Sequence, residues 1–292
     1  MTGLAFALVL LSGAIHATWN FLVKRSGHKV IFFWTMAVVG LVVMGLPAVG
    51  FAVAEGFGWT ALGFGLGTAC FHAVYGISLT RGYYLGDLSS VYPVSRGIGP
   101  ALVPLLAVLI FDEVVSVPAG IGIFFVVFGI YVIHIDARSW RDITQPLRAL
   151  NTPATRVAVF TGLVISCYSL WDKAGLDHDV HPMTLIGFTL VGNVLGLTPA
   201  IIWNTDRRRV TDEWNTHRRS IVAAGILAPL GYTLVLIALT TSQVSYVAPA
   251  REVGIVIGTA MGVLWLGEGY GLMRIWGSAL IVAGVMVLAL SP

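Results

Sequence analysis

The sequence predicts an all-α integral membrane protein of ten transmembrane helices arranged as two inverted five-helix repeats. Three observations predict it: the composition, the number of apolar runs long enough to cross a bilayer, and a self-similarity at one offset. Of the 292 residues, 57% are hydrophobic and 11% charged, and the mean hydropathy is +0.87. Soluble domains run at about 45–50% apolar and about 25% charged. The same figures exclude a disordered chain or a coiled coil. With 17 basic and 14 acidic side chains the net charge is only +3, and the basic residues fall in short connections. That charge reads as membrane orientation, not nucleic-acid affinity.

A crossing helix needs about 20 mostly apolar residues. Ten stretches qualify: 3–23, 30–53, 59–81, 88–110, 117–135, 157–176, 183–203, 221–241, 244–266 and 271–290. The first ends in an A-x-A-like Ala14-Ile15-His16-Ala17 region but has no basic leader and stays apolar to Val23, so it reads as a retained helix. Lys and Arg mark the cytoplasmic loops. Loops 1–2, 3–4, 5–6, 7–8 and 9–10 hold 14 of them, the opposite side holds Lys173 alone, and Arg96 and Arg251 fall within spans. Both termini are therefore expected on the non-cytoplasmic side of the inner cell membrane. Trp59, Trp203, Trp214, Trp265 and Trp276 sit near span ends, as an aromatic belt requires. Cys70 and Cys167 lie in apolar runs without metal-ligand spacing and are expected to be packing residues.

Shifting the chain by 155 residues superposes Arg96 on Arg251, Gly99 on Gly254, Glu113 on Glu268, Gly122 on Gly277 and Gly129 on Gly284. Gly13 and Lys24 match Gly162 and Lys173 at an offset of 149. Five helices per half make the second copy enter the membrane from the other side, the inverted repeat of many secondary transporters. The expected divisions are a first repeat over 1–140, a connection over 141–156 and a second repeat over 157–292. No Gly-rich phosphate loop followed by Lys occurs, so uphill transport would have to be ion-coupled. Gly254, Gly258 and Gly262 recur every fourth residue, which predicts a close crossing of spans four and nine.

An ionisable group inside a membrane costs at least about 2.5–3.5 kcal/mol and faces a cavity or a partner. Arg96, after Pro93, and Arg251, before Glu252, are the first candidates. Each guanidinium suits a substrate carboxylate or phosphate. The bland alternatives are an ion pair with Glu252 or a side chain reaching to the interface. His16, Trp19 and Asn20 share one face of the first span, with His16 either a carrier of a coupling proton or a donor to a neighbouring carbonyl. His72 and Tyr75 are three apart on the third span, and Tyr232 matches Tyr75 at offset 157. Together with Tyr168 these are candidate cavity residues or interface anchors. Tyr168, Trp171 and Asp172 group aromatics with a charge, but Asp172 and Lys173 lie near a span end and read as a solvated ion pair.

The segment Arg81-Gly82-Tyr83-Tyr84-Leu85-Gly86-Asp87-Leu88-Ser89-Ser90-Val91-Tyr92-Pro93-Val94-Ser95-Arg96-Gly97, with Gly99-Pro100, resembles the third-to-fourth helix region of the EamA family in the drug/metabolite transporter superfamily. Glu113 and Glu268 resemble that family's helix-start glutamates, and His16-Ala17 with Trp19-Asn20 and Lys24 resembles its first helix. The second-half motif is reduced to Val247-Ala248-Pro249-Ala250-Arg251-Glu252. The resemblance implies export of amino acids or related metabolites. The arginines and cavity aromatics fit zwitterions or carboxylates. The rival within transport is a multidrug or organic-cation exporter, which needs a buried carboxylate among aromatic faces, whereas Asp87, Glu113, Asp172, Glu252 and Glu268 are all expected near span ends. An intramembrane enzyme needs a nucleophile with its base or converging metal ligands; only His16, His72 and His134 offer the latter, and no such motif occurs. The expected partners are thus a small-molecule substrate and the lipid bilayer, with no nucleic acid, no cofactor and no metal. A monomer suffices, and a dimer is compatible.

Overall fold

The computed structural model describes residues 1–54, 56–85, 88–133, 152–266 and 272–291. Asp87, His134, Glu268 and most of the connection between the halves lie outside them. The first half contains α1 (Gly3–Lys24), α2 (Lys29–Ala54), α3 (Trp59–Leu85), α4 (Leu88–Phe111) and α5 (Val117–Ile133). The second contains α6 (Pro153–Asp177), α7 (Pro182–Asn204), α8 (Arg207–Leu239), α9 (Val244–Ala250), α10 (Val253–Leu266) and α11 (Leu272–Leu290). Seven of these helices are long and apolar enough to cross a membrane by themselves. Val42, Leu46, Leu109, Leu195 and Leu264 are exposed on the outside of the bundle, the surface that lipid rather than water would cover.

Local chemistry sets the helix starts. Thr2 accepts a hydrogen bond from the Ala5 amide and opens α1, and Thr152 accepts one from the Thr155 amide before Pro153 at the first turn of α6. Asp206 accepts from the Arg208 amide and starts α8 there. The charged segment expected as a connection before span eight is therefore helical from Arg207. Its Glu213 is turned inward, where it accepts from the His28 amide at 3.1 Å, which gives the polar extension a fixed seat.

The ninth span is broken where the sequence suggests one rod. Pro249 has no amide hydrogen to donate, and the chain tightens to three-residue bonds, Glu252 N to Pro249 O at 3.0 Å, Gly254 N to Arg251 O at 3.1 Å and Ile255 N to Glu252 O at 2.9 Å. Arg251 and Glu252 form the turn between α9 and α10. Gln243 makes no side-chain cap for α9. The Glu113 carboxylate does so instead, accepting from the Val244 amide at 2.9 Å, the Ser245 amide at 3.0 Å and the Ser245 hydroxyl at 2.5 Å. Hydrogen bonds to a charged group contribute about 1.5–3 kcal/mol each. Glu113→Ala is accordingly expected to lower the melting temperature of the purified protein more than removal of any exposed acid, with α9 the first segment to lose amide-exchange protection.

The two halves interlock. The principal packings are α5 on α11 and α2 on α7, then α1 on α8 with α3 on α6, α3 on α7 with α2 on α8, and α4 on α6 with α1 on α10. Replacing each helix by its repeat mate leaves this set unchanged. The repeat-mated pairs also run antiparallel. A Cβ added at Gly122 would lie 2.9 Å from the Gly284 carbonyl oxygen, and one added at Gly129 would lie 2.7 Å from that of Gly277. In α2 and α7, Trp34 donates to Thr198 at 3.0 Å while Phe51 stacks on His181. Overpacking such a contact costs about 1–3 kcal/mol. Gly129→Val should therefore destabilise the protein, and Gly120→Val, where an added Cβ meets open space, should not; parallel thermal melts separate them.

The ninth span does pack on α4, as expected, but through α9 and not through the glycine stripe of α10, which faces α1. A Cβ on Gly254 would stand 2.7 Å from the Gly13 carbonyl oxygen of α1, and α4 packs instead on α9. Small residues let either helix approach, and the stripe alone does not select the partner. Corresponding contacts occur in the two halves: Gly13 meets Val253, and Gly162 meets Ile98. Cys70 and Cys167 are exposed rather than packed inside.

Candidate functional site

A cavity of about 90 Å³ opens where the halves meet, with residues of both halves in its wall. His16 and Trp19 enter it from α1, His72 and Tyr75 from α3, Tyr168 from α6 and Tyr232 from α8, and Arg251 projects from the α9–α10 turn. The sequence suggested all seven. The rings touch one another: His72 lies 4.5 Å from Tyr168 and 5.6 Å from Tyr232, Tyr75 lies 5.9 Å from Tyr168, and His16 meets Trp19 edge-on at 4.8 Å. Phe33, Met36, Thr189 and Asn193 complete the far wall. No motif marked them; they arrive because α2 and α7 cross each other there.

Arg96 and Asn20 are placed differently. Arg96 lines a smaller adjoining cavity of about 20 Å³, and one of its terminal nitrogens donates to both oxygens of Glu252 at 2.8 and 2.9 Å. Both side chains are buried, so the first half's arginine is neutralised by the second half's glutamate. The Asn20 amide turns back along α1 and donates to the His16 carbonyl at 2.8 Å.

Arg251 has no such partner. It is buried, its Nε has no hydrogen bond, and no ion pair or side-chain hydrogen bond joins it to any described residue. The repeat register gives the reason. Glu252, the carboxylate that satisfies Arg96, corresponds at offset 155 to Gly97. The carboxylate that symmetry would supply to Arg251 is missing from the chain.

The acids stand deeper than their distance from the span ends suggests. Asp172 is wholly buried, not solvated, and accepts from Thr68 Oγ1 at 2.5 Å and Tyr232 Oη at 2.6 Å. Lys173 pairs instead with Asp177 at 2.5 Å. Glu252 and Glu113 are buried too. Position along a single span measures depth poorly once helices of the other half cover its end. One signal for Asp172 was present: it lies four residues from Tyr168 and so shares its helix face.

Residues 154–290 match the EamA-like transporter family. The match covers the second half of the chain. The matched region contains α6 to α11, and therefore Tyr168, Asp172, Tyr232, Arg251 and Glu252. A solved crystal structure of a protein aligns with 98% of this chain and 96% of its own at a TM-score of 0.75 and 17% identity, a likeness that shows the fold. No curated protein matches the sequence. The described residues thus form a helical protein with seven helices long and apolar enough to cross a membrane, and its second half is similar to a transporter family.

Proposed function

We propose that this protein is a secondary transporter that exports small zwitterions or carboxylates, amino acids foremost, across the inner cell membrane by alternating access. The observation that carries the proposal is Arg251. A buried guanidinium with no counter-charge is costly, and its cost falls when an anion fills the fork of donors it presents. A substrate carboxylate takes the place of the missing partner. The ammonium group of the same substrate then faces the rings of Tyr75, Tyr168 and Tyr232. Antiparallel repeat mates and a helix broken beside the cavity support two inverted repeats that exchange roles.

A second reading, export of hydrophobic cations, has one observation in its favour: the buried Asp172 carboxylate among aromatic rings. Three others weigh against it. Asp172 is engaged by Thr68 and Tyr232 and does not line the cavity. The cavity also holds the positive Arg251, and its volume of about 90 Å³ is below the roughly 300–1,000 Å³ of drug-sized sites.

A ligand that binds only the folded state raises its melting temperature. Purified protein is therefore melted with amino acids, carboxylates, sugar phosphates and quaternary amines in turn. The proposal expects stabilisation by an amino acid or carboxylate. Stabilisation by quaternary amines alone would transfer the assignment to cation export.

A further inference from the structure

The cluster behind the cavity wall has chemistry that substrate binding does not use. Asp172 on α6 is held by Thr68 of α3 and Tyr232 of α8, so a single carboxylate ties three helices from both halves. Beside it stands His72. Its Nε2 lies 4.0 Å from Asp172 Oδ2, is buried and has no hydrogen-bond partner. His72 lines the cavity, and Asp172 does not. A solute in the cavity therefore meets the imidazole and never the carboxylate.

We propose that Asp172 is the site that takes up the coupling proton, with His72 as its entry from the cavity. The inference rests on the transporter reading above and names its driving ion. A metal cation needs several oxygen ligands open to it, but this carboxylate is enclosed and already accepts two hydroxyl donors. A proton needs only a relay. With its hydrogen on Nε2, facing Asp172, the His72 ring accepts at Nδ1 a proton brought by a hydronium in the cavity, which leaves as water. After a closure of about 1 Å to hydrogen-bond distance it passes the Nε2 proton to Asp172 Oδ2. The imidazole returns to neutral as its Nδ1–H tautomer, one carboxylate becomes one carboxylic acid, and one hydronium becomes water.

The consequence is mechanical. Tyr232 Oη donates to Oδ2, and a protonated Oδ2 is a donor itself, with its negative charge gone. The tyrosine hydroxyl is released towards the cavity it lines, and the tie between α6 and α8 loosens while Thr68 still holds Oδ1. The groups facing the cluster are His72 and Tyr75 from α3, Tyr168 from α6 itself, Tyr232 from α8, the Arg96 and Glu252 pair from the α4 side, and Arg251. Of the two histidines in the cavity wall, His16 and His72, only His72 has a described carboxylate within 4.0 Å. At the repeat-related positions Asp172 and Thr68 become Val23 and Gly225, and His72 becomes Pro229. The proton site exists once, on one side of the pseudo-symmetric bundle.

Infrared difference spectra of the purified protein, recorded as pH is lowered, read the carbonyl stretch of a protonated carboxylic acid without any substrate. The proposal expects a titrating band in the native protein that is lost in Asp172→Asn. Thr68→Val and Tyr232→Phe, which keep the carboxylate, should displace the midpoint, and they carry the test if Asp172→Asn does not fold. A band that persists in Asp172→Asn, no titrating band at all, or a midpoint indifferent to both hydroxyl deletions would overturn it. In proteoliposomes given a radiolabelled mixture of L-amino acids, Asp172→Asn should keep exchange and lose accumulation driven by a pH gradient. Gradient-driven accumulation equal to the native protein's would contradict the proposal. If native protein moves none of the mixture, the amino-acid reading fails by itself, and the infrared result still decides Asp172.

Discussion

Arg251→Ala is expected to abolish the thermal stabilisation that a carboxylate or amino-acid ligand confers, while leaving the ligand-free protein as stable as before or more so. Truncating one partner of a buried charge pair costs about 2–5 kcal/mol. At about 1.4 kcal/mol per tenfold, affinity falls by roughly 30-fold to more than 1,000-fold. The unusual part is the behaviour without ligand. Most buried ionic groups destabilise a protein when they are removed, because a counter-charge is left behind. Arg251 has no counter-charge among the described residues, so its removal relieves a desolvated cation. Arg251→Lys keeps the charge and loses the planar fork, and should bind with intermediate affinity. A large loss of stability in ligand-free Arg251→Ala would show that the guanidinium supports the fold rather than a substrate.

The homologous change in the other half should do the opposite. Arg96→Ala leaves the Glu252 carboxylate buried without the guanidinium that faces it at 2.8 Å, and breaking such a pair costs about 3–5 kcal/mol. The melting temperature is expected to fall sharply, and the double variant Arg96→Ala with Glu252→Ala to recover much of it. Ligand affinity in whatever folded Arg96→Ala protein is obtained should change far less than in Arg251→Ala. The two arginines are repeat mates, but the exchange of Glu252 for Gly97 at the following position separates their roles. A stable Arg96→Ala protein with lost ligand binding would reverse the assignment.

How much of this was legible in the sequence depends on whether a feature is periodic or pairwise. The apolar runs follow from the cost of exposing polar backbone to lipid, and α1, α2, α6, α7 and α11 lie close to the runs that announce them. The repeat was visible through Arg96 and Arg251 and through the glycines at 122, 129, 277 and 284. Their physical pairing, Gly122 with Gly284 and Gly129 with Gly277, is the crossed one, because repeat mates pack antiparallel. The break at Arg251 was signalled by Pro249, but a proline alone does not distinguish a bend from a turn. The helical start of α8 was hidden by charge: Arg and Glu favour helices as well as loops, and only the inward seat of Glu213 decides. The site residues on cavity walls were suggested by aromatic and ionisable groups sharing helix faces. Their partners were not. Arg96 and Glu252 are 156 residues apart, and Thr68 and Asp172 are 104 apart. Nothing local in either stretch says which will meet, or that Asp172 is sealed from water by helices of the other half.

Counterflow in proteoliposomes tests the central claim most directly, because a carrier with one site exposed alternately to either side exchanges internal for external ligand without net driving force. Vesicles containing the protein are loaded with unlabelled amino acid or carboxylate chosen from the melting panel and diluted into a trace of the same labelled compound. Transient accumulation of label inside, absent from empty vesicles and lost in Arg251→Ala, is the predicted result. No accumulation for any compound that stabilises the protein, or counterflow undiminished in Arg251→Ala, would contradict a carrier whose substrate carboxylate completes the Arg251 site.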